Sequence, residues 1–359
     1  MAFSSTAPLS LGILGAARIV DSAICGQTDP WFVPTALGAR DLGRARSWAA
    51  QRGIPRAYGS YEEVIADREL RAIYVALPSA YHADFTELAL RAGKHVLCEK
   101  PFCLDAARAE GLVQLAQEKG LVLMEAHHWR YHPLVPPWRE LLASAGPLEG
   151  VAAHFVVGID DPTDIRKIPR LGPGVMMDFG CYLLQWSQFV FDSALGRPQG
   201  SSADQPVPAD WGGMRVVSAS MKEEAPGVDT VCDAVLERGG VTATIHCDMR
   251  AGTPFSAQVR AEFSSLTVVF DNPLAVEGAQ LQVVPKEPGA PHRGPTTAAE
   301  QSALDTTTYR EQLCAFYRAI TKGVAPPTSA GDIIRTQALL DGVYRAAGVI
   351  SRRQLAAQG

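Results

Sequence analysis

The run Ala72-Ile73-Tyr74-Val75-Ala76-Leu77 carries no polar interruption. A strand of that pattern buries both of its faces, and sheets buried on both faces are parallel sheets flanked by helices. The residues around it repeat the arrangement. Leu9 to Gly15 reads as a first strand breaking into a turn, Pro34 to Ala39 as a second, Lys94-His95-Val96-Leu97 as another and Leu121 to Ala126 as the last. Between them the pattern predicts helices over 44–52, 61–69, 82–92 and 105–119, with Ser60 and Glu63 spaced as a capping box. Strand and helix alternate through residue 126, which predicts an α/β, doubly wound parallel sheet.

Open sheets of this kind bind ligands outside the carboxyl ends of their strands. Cys98-Glu99-Lys100-Pro101-Phe102 leaves one such end. Neither charge of the Glu99-Lys100 pair belongs in a sheet core unless it is paired or faces a cleft; the alternative is a solvated strand end. Leu77-Pro78-Ser79-Ala80-Tyr81-His82 leaves the sheet at the same edge, with His82 beginning a helix. That loop must face whatever the sheet binds, although a histidine there is more often structural than catalytic.

The first strand leads into Gly15-x-Ala17-x-x-Val20, a loosened form of the glycine fingerprint for dinucleotides. Gly15 permits the tight turn, Ala17 is small enough for a pyrophosphate to approach, and the helix opening with Arg18 and Ile19 offers free N–H groups. A strand–turn–helix packed for structural reasons has much the same sequence. The second strand ends at Ala39, followed by Arg40, with Arg44 one turn into the next helix. No carboxylate sits at the strand tip to repel a 2′-phosphate, and two guanidiniums are available to bind one. The expectation is NADP(H) rather than NAD(H). Asp41 remains within reach of a ribose hydroxyl, and the alternative for both arginines is a solvated helix surface.

A chain of 359 residues exceeds one ordinary core, so two domains are expected, 1–126 and 127–359. Hydrophobic residues make up 47% and charged residues 20%, with a net charge of −5 and no basic tract, which argues against nucleic acid as a partner. The seven cysteines are scattered, odd in number and without a C-x-x-C pair, which argues against disulfides and zinc and for a reducing, cytoplasmic setting. No apolar stretch reaches the roughly 18 residues that a membrane-spanning helix needs.

The second half changes pattern. Strand signals recur at 150–157, 214–221, 229–236, 240–249, 257–263, 266–271 and 279–284, and Val241, Ala243, Ile245 and Cys247 alternate with polar residues. These predict an α+β domain with an open, mainly antiparallel sheet, one face covered by a helix over 176–192. Residues 195–212 and 285–304, rich in Pro and Gly, read as surface insertions. Helices follow at 308–322 and, from a capping box Ser329-x-x-Asp332, to about Ala347; these should pack back on the sheets.

Gly12-Ile13-Leu14-Gly15, Leu77-Pro78-Ser79 with His82, Glu99-Lys100-Pro101, Glu125-Ala126, Arg130-Tyr131-His132-Pro133 and Gly172-Pro173-Gly174-Val175-Met176-Met177-Asp178-Phe179-Gly180-Cys181-Tyr182 occur in the order seen in the Gfo/Idh/MocA oxidoreductase family. The chain resembles that family from about residue 10 to residue 350. Tyr182, where the family commonly has His, resembles the dimeric dihydrodiol dehydrogenase and D-xylose dehydrogenase branch, which uses NADP. Pro173 replaces a usual glycine, and Ser79 a common asparagine. The resemblance implies a Rossmann domain and a sheet domain whose free face pairs with a second subunit in a homodimer. It also implies hydride transfer between NADP(H) and a small carbonyl or sugar-like substrate. Two other uses of the fold stand as alternatives: redox-neutral cleavage or epimerisation of a glycoside with tightly held nucleotide, and a non-catalytic NADP-binding sensor.

Hydride transfer needs a proton carrier and charge stabilisation at the substrate oxygen. Tyr182 is the natural carrier, and the Lys100 ammonium is expected to favour its phenolate. Asp178 lies four residues earlier, on the same helical face, where it binds a substrate hydroxyl or orients Lys100. The alternatives are a core tyrosine and a helix cap. His128 and Trp129 are candidate substrate contacts and Arg130 a cofactor contact; Arg166, beside Asp164, is a further pocket residue or a surface ion pair. His127, His128 and His132 have no further Cys or Glu at ligand spacing, so no metal is expected.

Overall fold

A computed structural model describes residues 7–27, 31–196, 213–287, 293–297, 306–328 and 330–349. The first sheet has the order β3-β2-β1-β4-β5-β6. Its strands are β1 (Leu9–Leu14), β2 (Phe32–Gly38), β3 (Arg56–Tyr58), β4 (Ala72–Val75), β5 (His95–Cys98) and β6 (Leu123–Glu125), all paired in parallel. Every residue of β4 is buried, as its apolar run requires. Helices α1 (Leu42–Gln51), α2 (Tyr61–Ala66), α3 (Ser79–Arg91) and α4 (Ala106–Glu118) follow β2, β3, β4 and β5. Ser60 and Glu63 close the capping box on α2. The helix after the glycine turn differs from the sequence reading: it begins near Ile19, with a wide turn over Asp21–Cys25. α3 starts three residues earlier than read, at Ser79, because Pro78 provides an extended N-cap.

The second sheet has eight strands in the order β14-β13-β12-β11-β7-β10-β9-β8. They are β7 (Leu148–Val156), β8 (Arg215–Ala225), β9 (Val228–Arg238), β10 (Val241–Asp248), β11 (Ser256–Phe263), β12 (Leu266–Asp271), β13 (Gln280–Pro285) and β14 (Arg293–Thr297). All neighbours pair antiparallel except β7 with β10. The strand β14 falls inside the stretch read as an insertion; backbone pairing with β13 offsets its weak local signal. One face of this sheet carries α5 (Val135–Ser144), α6 (Cys181–Ala194) and α8 (Ala330–Ala346) around Trp129, Trp138, Trp186 and Phe189. The capping role read for Ser329 lies outside the described residues, as does most of 195–212.

The last helices join both sheets. α7 (Thr308–Lys322) covers the first sheet, with Phe316 stacked on Phe32 at 5.3 Å. α8 packs on α4, α6 and β8. All seven cysteines are free thiols, and no described helix is long and apolar enough to cross a membrane.

Candidate active site

The glycine turn lies against β4. Gly15 has φ +108°, and a Cβ there would stand 2.4 Å from the Ala76 carbonyl oxygen, so only glycine fits. Ala17, Arg18 and Ile19 follow at partly or fully exposed positions. Arg40 and Arg44 are exposed beside the tip of β2, where the Arg44 Nη2 donates to the Ala16 carbonyl at 3.0 Å. Asp41, the one carboxylate in reach of this tip by sequence, is the N-cap of α1 and accepts from the Arg44 backbone N–H at 2.7 Å. A glycine turn with two guanidiniums and an engaged carboxylate fits a nucleotide carrying a 2′-phosphate.

The next two strand ends close on the segment before α6. Ser79 Oγ donates to the Gly172 carbonyl at 2.7 Å, tying the start of α3 to the Gly-rich loop. In that loop Gly174 has φ +118°, and a Cβ would overlap the Asp229 carboxylate, whose Oδ2 accepts from Met176 N at 2.8 Å. This fixes the wide turn Met176–Gly180, which carries Asp178 toward Lys100. Lys100 Nζ donates to Asp178 Oδ1 at 2.6 Å and to the Asp178 carbonyl oxygen at 3.0 Å. The other Asp178 oxygen accepts from Arg166 Nε, and Arg166 also pairs with Asp164 at 3.1 Å. Arg18 reaches Asp164 from the glycine turn at 3.5 Å. Burial opposes ionisation of Asp178, but the two cations outweigh it and hold the carboxyl well below its ordinary range. Burial likewise works against the Lys100 charge, and the Asp178 carboxylate more than restores it.

Tyr182, on the first turn of α6, joins this cluster: its ring centroid lies 5.1 Å from Lys100 Nζ. Its hydroxyl meets His128 Nε2 at 3.1 Å, and His128 Nδ1 meets Thr308 Oγ1 at 2.9 Å. The expectation that Lys100 favours a phenolate is corrected here. Tyr182 is 4% exposed, and burial raises its hydroxyl well above the usual phenol range. Burial also lowers His128 to about 3, leaving a neutral imidazole.

Several expected contacts lie elsewhere. Trp129 is fully buried in the second core and donates to Gln185 Oε1 at 3.1 Å. Arg130 turns with it: Nη2 donates to the Pro327 carbonyl at 3.1 Å and the guanidinium lies over Phe189, which takes it away from the Lys100 cluster. His82 is buried inside α3, with its ring nitrogens against the Pro101 and Leu77 carbonyls at 2.8 and 2.6 Å; it braces the two loops rather than facing a cofactor. Leu77 is itself buried. The Glu99 carboxylate accepts from Tyr74 Oη at 2.5 Å, and burial raises its pKa. His132 bonds the Ala275 carbonyl at 3.1 Å, so the three histidines do not converge, and no metal-binding group of side chains occurs among the described residues. Thr308 and Tyr309, whose ring stacks on His128 at 4.3 Å, went unread, since nothing local in the sequence links them to the site.

A dinucleotide-type turn, a lysine–carboxylate pair and a buried phenol at the junction of two sheets are the marks of a nucleotide-dependent oxidoreductase. Residues 9–127 match the Gfo/Idh/MocA oxidoreductase family with its NAD-binding Rossmann fold. The chain is 32% identical over 354 residues to D-xylose 1-dehydrogenase (NADP(+)) 2 of Haloferax volcanii, covering 94% of this chain and 97% of that one. It is 37% identical over 175 residues to trans-1,2-dihydrobenzene-1,2-diol dehydrogenase of Xenopus tropicalis, covering 47% and 51%. A 3-ketoreductase from Actinomadura kijaniata, solved with NADP and TDP-benzene, shares the fold at a TM-score of 0.79 and 24% identity, covering 94% and 98%. The chain belongs to the Gfo/Idh/MocA oxidoreductase family.

Proposed function

We propose that this chain is an NADP(H)-dependent oxidoreductase that transfers hydride between the nicotinamide and a hydroxyl/carbonyl carbon of a sugar, cyclic polyol or trans-dihydrodiol. The observation that carries the reading is the meeting of Lys100, Asp178 and Tyr182, which come from two distant parts of the chain. Similarity to an NADP-dependent xylose dehydrogenase along nearly the whole chain supports the substrate class and cofactor.

The nucleotide supplies the hydride chemistry when bound. The turn at Gly15 and the Arg18–Ile19 backbone hold its pyrophosphate, and Arg40 and Arg44 hold its 2′-phosphate. Lys100 has three N–H donors; two go to Asp178, and the third serves the substrate oxygen. As charge develops on that oxygen, the ammonium stabilises it and Tyr182 gives it a proton. Arg166 keeps Asp178 ionised, and Asp178 keeps Lys100 charged and in place. In alcohol oxidation the proton moves the other way, onto the Tyr182 oxygen.

The other face of the second sheet carries a cavity of about 540 Å³ lined by both polar and apolar side chains, among them His154, Asp233, Gln258, Arg260, Ala219 and Val235. We assign this face to a second copy of the chain in a homodimer working in the cytoplasm. Sedimentation of the purified protein checks the dimer, and a monomer at micromolar concentration would overturn it.

Mixing the protein with NADPH and a panel of dicarbonyls and aldoses, and following the nicotinamide absorbance, tests the activity. Consumption with at least one carbonyl is expected. Tight nucleotide binding with no turnover across the panel would sink the reading.

A further inference from the structure

We propose that Thr308 is a positioning residue for the reaction: its hydroxyl fixes the tautomer of His128, and His128 in turn presents an Nε2–H to the Tyr182 oxygen. This rests on the reading of Tyr182 as the proton carrier. Tyr182 is buried, so the phenolate that remains after it gives up a proton needs donors from the protein itself. Lys100 spends two of its donors on Asp178. His128 Nε2, 3.1 Å from the Tyr182 hydroxyl, is a second donor, provided the imidazole proton sits on that nitrogen.

In this assignment Thr308 donates to Nδ1; the reverse direction, with Nδ1–H donating to Oγ1, would leave Nε2 without a proton. The Thr308 Oγ1 lies 2.9 Å from Nδ1, and a neutral imidazole that accepts a hydrogen bond at Nδ1 carries its proton at Nε2. Thr308 opens α7, where the N-cap belongs to Thr307, so the Thr308 hydroxyl is spared for His128. The stacking of Tyr309 on His128, at an interplanar angle of 28°, holds the ring in the plane that serves both contacts. Other titratable groups surround the pair. Lys100 and Glu99 approach from the loop after β5, His127 and His132 from the turn that holds His128, and Asp178 and Cys181 from the start of α6. Burial, and after it the Lys100 ammonium, disfavour an imidazolium at His128, which leaves two neutral tautomers for Thr308 to select between.

The step balances as a proton transfer. The Tyr182 O–H bond breaks and an O–H bond forms on the substrate alkoxide, whose carbon has received hydride from the nicotinamide. The phenolate keeps its electron pair and accepts the hydrogen bond from His128 Nε2–H. In alcohol oxidation the same bond stabilises the phenolate that takes the substrate proton.

The test compares Thr308→Val and Thr308→Ser with the wild-type protein in alcohol oxidation with NADP+. Thr308→Val should lower kcat about tenfold with little change in KM. It should also move the rising limb of the kcat–pH profile up by about one unit, the equivalent of one lost hydrogen bond to the phenolate. Thr308→Ser should restore both. Should Thr308→Val not fold, Thr308→Cys, similar in size with a weak donor, gives the same comparison. An unchanged pH profile in Thr308→Val, or a Thr308→Ser variant no better than valine, overturns the assignment. Tyr182→Phe separates the two ideas: full activity there removes the underlying reading, whereas an inactive Tyr182→Phe with an unaltered Thr308→Val removes only the role of Thr308.

Discussion

The Lys100 ammonium and the Asp178 carboxylate form one unit, with Nζ 2.6 Å from Oδ1 and 3.0 Å from the carbonyl oxygen of the same residue. The two side chains are 14% and 17% exposed, enough to meet a substrate and too little for water to screen them fully. Lys100→Met removes the donor to the substrate oxygen and should lower kcat by on the order of 10² to 10³, with NADPH affinity nearly unchanged. Steady-state rates beside fluorescence titration of NADPH check this. Equal losses in both would mean that Lys100 serves nucleotide binding.

Removing the carboxylate has a different signature. Asp178→Asn leaves Lys100 and Arg166 facing each other without the anion between them. Breaking a buried ion pair in this way costs about 3 to 5 kcal/mol, read from urea unfolding at pH 7. Because the folded-state pKa of Asp178 is depressed, its contribution is complete above the unfolded value of about 3.9 and is lost as the pH falls toward the folded one. The stability gap between wild type and Asp178→Asn should therefore hold from pH 8 to 5 and narrow only below about pH 4.

His128 gives an acid dependence at higher pH. Its folded pKa of about 3 lies below the unfolded value of about 6.5, so the unfolded chain binds an extra proton between them. Stability from this site is complete above pH 6.5 and falls as the pH drops toward 3. His128→Gln should make the wild-type decline between pH 6 and 4 shallower by about 1.4 kcal/mol per pH unit. Chemical denaturation across that range measures it, and parallel curves would show that another group is responsible.

Cofactor choice should follow Arg40 and Arg44. Replacing both with Ala removes the cations at the tip of β2 while the Asp41 cap on α1 stays. With charge-assisted hydrogen bonds contributing roughly 1.5–3 kcal/mol each, NADPH affinity should fall at least tenfold while NADH affinity stays within about twofold. Calorimetric titration of both nucleotides decides the matter.

Trp129 tests the expectation that it contacts substrate. Fully buried among Trp138, Trp186 and Phe189, it holds the second core. Trp129→Phe should destabilise the protein and leave the KM of any substrate within about twofold; a large rise in KM with intact stability would return it to the substrate site.

How far the sequence could be read follows from the range of the interactions. The strands of the first sheet were legible because a parallel sheet buries both faces, and an unbroken apolar run such as Ala72 to Val75 has little else it can form. β3 was not, since Arg56–Tyr58 carries no apolar pattern and is held by pairing with β2. α5 was also missed: its prolines, usually helix breakers, sit in the first turn, where no backbone donor is needed. The same limit explains Trp129 and Arg130. Along the short turn His128–Tyr131, His128 meets Tyr182 while Trp129 donates to Gln185 and Arg130 to the Pro327 carbonyl, so adjacency in the chain did not predict shared partners.

By itself, then, the sequence determined the alternation of strands and helices, the glycine turn, and the residue types able to carry a proton or a phosphate, because each depends on near neighbours in the chain. Tertiary structure alone decided that Lys100 meets Asp178 across 78 residues, that Tyr182 meets His128 across 54, and that Thr308 completes the contact across 180. Such pairings arise when two sheets and the returning helix α7 pack together, and burial at that junction also raises the Tyr182 hydroxyl above its ordinary range beside the Lys100 ammonium.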